Sequence, residues 1–324
     1  MKDIVKSLRN SVFTTFFYIL LDYYKKQRSW FDYLIIFLIL STTLLLVSLT
    51  WNVIKQWYLD WRRKHFPRVG ILNGSIKSRT VEHPCRRQWS EMTPSMWFEQ
   101  LKRDFKKPLL SELILIPTSE IDNSWSIVIN PFGENYPEEN PRLLKTFKEI
   151  CEYINKGGIF VVTGSAFFYN QNTFATPQSE RVITHVIEGV QYLEYSVLTQ
   201  EFGVKYTGNI HDIQNKKVLF EEPVEINVTQ TSDMVKMWGD LLQGINHLKR
   251  FRAATSETID YLPVIIQEGE DQWNKGKKIF PIALIRYGKG ALIHAGLHIH
   301  SYSCDEFLVL KRLILKLAKN KFTF

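Results

Sequence analysis

The chain has 324 residues, a net charge of +8 and three cysteines, with a sequence pI near 9.2. The charge is uneven: residues 1–68 hold 11 Lys/Arg against four Asp/Glu, and the remaining residues hold 30 against 29. A near-neutral remainder excludes an electrostatic footprint for nucleic acid. Cys85, Cys151 and Cys304 are odd in number and widely spaced, which excludes a disulfide framework and a CxxC metal or redox motif.

Taken in chain order, the first pattern is a stripe. Phe13, Phe16, Phe17, Leu20, Leu21 and Tyr24 fall at helical spacing and predict a helix over 10–25 lying in a membrane interface. Tyr33–Ile54 then runs 22 residues without a charge. At about 1.5 Å per residue that matches the roughly 30 Å hydrocarbon core of a bilayer. Tyr33 and Trp51 stand where aromatic belts form. The chain therefore divides into a basic N-terminal segment (1–30), a transmembrane helix (31–54), a basic juxtamembrane linker (55–68) and a domain over 69–324.

Five Lys/Arg lie within 20 residues after the span and three within 20 before it. This bias predicts a single-pass protein with its domain on the cytoplasmic side. Residues 1–68 would meet anionic headgroups.

Beyond Pro67 the domain alternates strands and helices. Val69–Leu72, Glu112–Ile116, Trp125–Asn130 and Ile159–Val162 read as strands. Thr93-Pro94 opens a helix to about Phe105, with proline at a favoured first position. Pro141 opens another, carrying Leu143, Leu144, Phe147, Ile150, Cys151 and Ile154 and closed by Gly157-Gly158. Glu180–Leu198 and Val235–Leu248 read as helices, with one or two strands in Val218–Val228 between them. Leu262–Gln267 is a strand, Phe280–Tyr287 and Ala291–Leu297 form a hairpin about Gly288-Lys289-Gly290, and Cys304–Lys319 is an amphipathic helix. Such alternation predicts an α/β fold, a doubly wound, flavodoxin-like and mainly parallel sheet with a C-terminal hairpin and helix. Its site belongs at the carboxyl ends of the strands. The residues there are Asn130, Phe132, Gly133, Thr163, Gly164 and His300, the expected ligand-binding set, together with Glu134, Ser165 and His298.

Three segments carry a family resemblance: the helix, Gly-Gly and strand of Tyr153–Val162, the hairpin segment Gly288–His294, and Gly296-Leu297-His298-Ile299-His300. The pattern resembles the class I glutamine amidotransferase-like superfamily, in the divergent branch that includes the trehalose-utilisation (ThuA-like) proteins and the N-terminal domains of biotin-protein ligases. The resemblance implies a nucleophilic cysteine at the turn after the Gly-Gly strand. That turn reads Thr163-Gly164-Ser165-Ala166. The family's triad glutamate position holds His300. Glutaminase chemistry is therefore not expected, since a thiolate is its nucleophile.

The leading reading is a catalytically degenerate amidotransferase-like domain that binds a small ligand or a protein partner at the membrane. One rival is a hydrolase, or a carbohydrate-active ThuA-like enzyme, with Ser165 as nucleophile, His298 as base and Glu134 orienting it. The other is a structural subunit of a membrane complex, its span contributing Ser41, Thr42, Thr43, Ser48 and Thr50 to helix contacts. His294, His298 and His300 share a face on an extended strand. Asp305 and Glu306 read as the acidic start of the last helix, so no metal and no cofactor is expected.

Overall fold

The computed structural model describes residues 30–73, 92–104, 112–132, 145–164, 182–187, 190–195, 202–204, 209–212, 217–218, 224–228, 238–250, 253–255, 261–268, 276 and 278–319. The predicted interfacial helix over 10–25 lies outside them. Contacts divide the chain into two units, Met1–Tyr58 and Leu59–Phe324.

The first unit is described by the start of helix α1, Trp30–His65, a single 36-residue helix. At 1.5 Å per residue it is about 54 Å long. It carries the charge-free run Tyr33–Ile54 without a break. Leu38, Ile39, Val53, Ile54 and Trp57 are exposed on it. The Thr42 hydroxyl donates to Leu38 O (2.8 Å) and Ile39 O (2.9 Å), and that of Thr43 to Ile39 O (2.7 Å). Among the described residues no helix is long and apolar enough to cross a membrane. The side chains of residues 31–37 and 44–49, the most apolar part of α1, lie outside that description.

The second unit is mixed α/β, built on a mainly parallel eight-stranded sheet. Its strands are β1 (Arg68–Leu72), β2 (Glu112–Ile116), β3 (Ile127–Asn130), β4 (Ile159–Thr163), β11 (Ala254–Thr255), β12 (Tyr261–Glu268), β13 (Lys278–Tyr287) and β14 (Gly290–Ala295). The order is β2-β1-β3-β4-β14-β13, with β11 and β12 both on β13. The first five run parallel; β13 turns back antiparallel on β14, and β11 and β12 on β13. The four residues of β3 and five of β4 are all buried, as central strands covered on both faces must be.

Helices cover both faces. Val69, Ile71, Ile127, Ile129, Val161 and Ile293 pack on one side with α2 (Pro94–Asp104) and α4 (Asp305–Lys319). There the Trp97 ring meets Phe307 edge-on at 4.9 Å. Val128, Phe160, Val162 and Leu292 pack on the other side with Phe147, Ile150, Cys151 and Ile154 of α3 (Lys145–Asn155). The end of α3 follows the Gly-Gly expectation. Gly157 has φ 101°, its N–H donates to Ile154 O (2.8 Å), and Gly158 N–H donates to Tyr153 O (3.1 Å). That pair of bonds is the left-handed glycine cap that satisfies a helix's last carbonyls.

The middle of the chain corrects two expectations. Glu180–Leu198 is not a helix: β5 (Val182–Ile187) and β6 (Val190–Tyr195) pair antiparallel, Ile187 opposite Val190. They head a four-stranded sheet with β7 (Asn209–Asp212) and β8 (Lys217–Val218). β-Branched residues fill β5, and Glu188-Gly189 falls at the connection, a composition that favours a hairpin over a helix. In Val235–Leu248, the described part is helical only at Trp238, then takes a 3₁₀ turn, Gly239–Leu242, followed by β10 (His247–Arg250), which pairs with β9 (Val224–Asn227). Gly239 and Gly244 take φ of 60° and 76°, values an α-helix does not admit.

The last turn of α1 belongs to the second unit. The Arg63 guanidinium donates from Nε to Asn123 O (2.8 Å) and from Nη1 to Lys156 O (2.5 Å), and faces Asp60 at 3.4 Å. Its side chain is only 8% exposed. Arg68 stacks over Trp125 at 4.0 Å and donates to the Ser124 hydroxyl at 2.7 Å. Two of the five basic residues after the charge-free run thus grip the domain itself.

Candidate functional site

The carboxyl ends of β3, β4 and β14 lie side by side because the three strands are neighbours in register: Asn130 opposite Val162, and Thr163 opposite Ala295. At the end of β3, Asn130 is buried, and its Oδ1 accepts the Phe132 N–H at 3.2 Å. This side-chain-closed turn is why asparagine followed by proline ends the strand here. At the end of β4, fully buried Thr163 donates its hydroxyl to Asn130 O at 3.3 Å. Gly164 then turns with φ 80° and donates its N–H to Ala295 O at 2.7 Å.

The structure therefore brings Asn130, Thr163 and Gly164 together, but as a buried joint between strand ends. Phe132 is half-buried against the α3-side core. Gly133, Glu134 and Ser165 lie outside the described residues, so the predicted Ser165, His298 and Glu134 constellation is represented by its histidine alone.

Beyond β14 the chain stays extended. Gly296 N–H donates to Pro281 O (2.8 Å), Leu297 bridges Arg250, and His298 N–H donates to Lys249 O (2.8 Å). Leu297 and Ile299 point into the core, with His298 half-buried and His300 exposed between and after them. The rings of His298 and His300 approach to 5.3 Å between centroids. His294 sits earlier, inside β14 opposite Val162, and is completely buried. The alternation predicted for the three histidines thus separates one core residue from two at the surface.

A cluster missed by the sequence reading stands where the extended segment meets α4. His300, Cys304 and Glu306 place one ligand-type atom each within 4.8 Å of one another. Cys304 precedes the helix: its carbonyl accepts the Leu308 N–H at 3.2 Å, and its sulfur accepts the Phe307 N–H at 3.4 Å. The thiol donates to Ser301 O at 3.0 Å. Glu306, 5% exposed, accepts the backbone N–H of Lys249 on β10. Burial pushes the Cys304 thiol above its ordinary range, and the neighbouring Glu306 carboxylate adds to the shift. The signal available in the sequence was His-x₃-Cys-x-Glu, which gains meaning only once the chain turns at Ser301–Ser303.

No protein-family model and no curated protein matches the chain. Among solved structures it is similar to a β-galactosidase from Bacillus circulans sp. alkalophilus, at 14% identity over 78% of this chain and 31% of that one, with a TM-score of 0.40. It is also similar to the exo-β-1,4-mannosidase Op5Man5 from Opitutaceae bacterium strain TAV5, at 8% identity over 78% of this chain and 34% of that one, with a TM-score of 0.33. The chain spans about a third of the length of each.

Proposed function

We propose that this protein is a single-pass membrane protein whose domain is doubly wound, flavodoxin-like and amidotransferase-like, has lost glutaminase chemistry, and binds a small ligand or partner protein at the cytoplasmic membrane face. The observation that carries the functional part is the turn after β4. There Thr163 and Gly164 lead into Ser165, where the resembled family has its cysteine, and the described cysteines, Cys151 and Cys304, stand in α3 and before α4. Without a thiolate at that turn, attack on a glutamine amide has no nucleophile. Anchoring is supported by the unbroken charge-free helix and by Thr42 and Thr43, whose hydroxyls are satisfied by the helix's own carbonyls as a lipid setting demands.

The anchoring half is tested by fractionating cells that express the full chain and a deletion of residues 33–54. The full chain should stay with membranes through alkaline carbonate extraction and the deletion should not; release of the full chain would sink the anchor. The chemical half is tested by assaying the purified chain for ammonia release from glutamine, where turnover above a Cys304→Ser control would sink the degenerate reading.

One observation favours a second reading, hydrolysis by Ser165 and His298. Gly164 N–H donates to Ala295 O, so the residue before Ser165 and the strand end that leads to His298 stand at the same end of adjacent strands. Equal loss of ester hydrolysis in Ser165→Ala and His298→Ala would establish it.

A further inference from the structure

We propose that His300, Cys304 and Glu306 form a binding site for a divalent transition-metal ion of the zinc class, with three protein ligands and one position open to water. The site goes beyond the binding-module reading and stands on these three residues alone, whether or not the chain is anchored.

The donor set is the first argument. Imidazole nitrogen, thiolate sulfur and carboxylate oxygen are the three ligand types that zinc takes from proteins. With bond lengths of about 2.0 Å to N and O and 2.3 Å to S, tetrahedral ligand atoms stand roughly 3.3 to 3.5 Å apart. The three atoms here lie within 4.8 Å of one another, so side-chain rotations closing about 1.5 Å complete the geometry. His300 is exposed while Cys304 and Glu306 are buried. That mixture leaves the fourth position facing solvent, the pattern of open zinc sites with three protein ligands.

The surroundings are the second argument. Glu306 is 5% exposed and Cys304 is buried, and their ligand atoms lie within 4.8 Å of each other. A metal ligand sheds its proton on binding, so a divalent cation here would displace the thiol proton donated to Ser301 O. The surroundings already hold the ligands in position. Lys249 N–H fixes one side of Glu306, and Phe307 N–H points at Cys304 Sγ, the outer-shell hydrogen bonds that orient metal ligands. A capping role explains Cys304 and Glu306 one at a time; it gives no reason for the imidazole of His300 to stand over both.

The test uses the full chain in detergent, stripped with a chelator and titrated with Zn²⁺ by calorimetry and with Co²⁺ by absorption. One equivalent per chain is expected, with a thiolate-to-cobalt charge-transfer band. Cys304→Ser should abolish that band. Cys304→Ser, Glu306→Gln and His300→Ala should each weaken Zn²⁺ affinity by more than the roughly 10- to 100-fold that loss of an outer-shell partner costs. His65→Ala, an exposed histidine far along the chain, should leave it unchanged. His300→Ala alters a surface position and keeps the test meaningful should the buried variants fold poorly. Absence of stoichiometric Zn²⁺ binding, a cobalt spectrum without the thiolate band, or equal affinity in parent and His300→Ala would each overturn the site.

Discussion

Replacing Arg63 by methionine probes the joint between the last turn of α1 and the α/β domain. Methionine keeps the apolar stem in place and removes only the guanidinium. Two charge-assisted donations are lost, to Asn123 O at 2.8 Å and Lys156 O at 2.5 Å. Hydrogen bonds from charged groups contribute about 1.5 to 3 kcal/mol each. Against this stands desolvation. Burial lowers the Arg63 pKa despite the attraction of Tyr153, Asp60 and Asp122, and its Nη2 is buried without a hydrogen-bond partner among the described residues. Desolvation of a buried charge offsets much of the gain, leaving a net loss of about 2 kcal/mol on substitution. For a domain of this size that lowers Tm by roughly 4–8 °C. Near-ultraviolet circular dichroism of the full chain in detergent measures the shift, and hydrogen exchange locates it. Amides of Leu59–His65 should lose protection before those of β13 and β14. A Tm change under about 1 °C, or a rise, would mean that desolvation cancels the bonds and that Arg63 does not hold the joint.

Gly290→Ala should be among the costliest small substitutions, because the added Cβ meets backbone, Gly158 O at 2.2 Å and Ile154 O at 2.3 Å. A loss near or above 3 kcal/mol is expected from overpacking, against about 1 kcal/mol for Gly244→Ala, whose φ is 76° but whose Cβ would meet nothing within 4 Å; equal chemical-denaturation midpoints would contradict the packing. Tyr153 has its phenol pushed well above its ordinary value by burial, with its hydroxyl donating to Ile159 O at 3.2 Å. A raised acid pKa means the folded chain holds a proton that the unfolded chain releases above about pH 10, so this contribution is complete below pH 10 and falls above it; urea unfolding from pH 8 to 11 in parent and Tyr153→Phe should show the extra slope in the parent alone. Phe307→Ala, which removes the edge partner of Trp97 in a fully buried contact, should cost about 3–5 kcal/mol, read as the shift in urea midpoint.

The parts of the fold that were legible are those in which one local rule acts without competition. Ile127–Ile129 and Ile159–Val162 are apolar throughout because both faces are buried, and runs this short read as strands rather than helices. The α3 stripe ends at a glycine with the left-handed backbone that its cap requires. The Val182–Tyr195 region failed because two rules agree with the same letters. Val182, Ile183, Val186, Ile187 and Val190 fall at i, i+1, i+4, i+5 and i+8, a helical stripe, while Val182, Thr184 and Val186 alternate as in a strand. Pairing decided it: β5 folds back on β6, and β6 pairs in turn with β7, Asn209–Asp212, a contact beyond the reach of a local window. The His300, Cys304 and Glu306 cluster was hidden for a related reason. Strand periodicity groups His300 with His294, but the chain leaves the sheet after Ala295 and turns at Ser301–Ser303, so its neighbours become residues of the next helix.

The chain's connectivity sets apart the two ends of the parallel sheet. In a parallel sheet every strand enters at one end and leaves at the other. Arg68 opens β1, the Asn123–Ser126 segment, Lys156–Gly158 and Lys289 precede strands, and Arg63 fastens the last turn of α1 among them. Asn130 ends β3, and Gly164 and the Gly296–His300 segment follow β4 and β14, at the other end. Five strand residues at about 3.3 Å each put roughly 16 Å between the two sets. A chain that passes from α1 into β1 reaches the amino end of β1 first, and Arg63 fastens it there. The carboxyl end, with its polar turns and the His300 cluster, stays clear of the joint. The carboxyl end is the usual ligand site of parallel sheets, and it lies at the far end of the strands from the Arg63 joint.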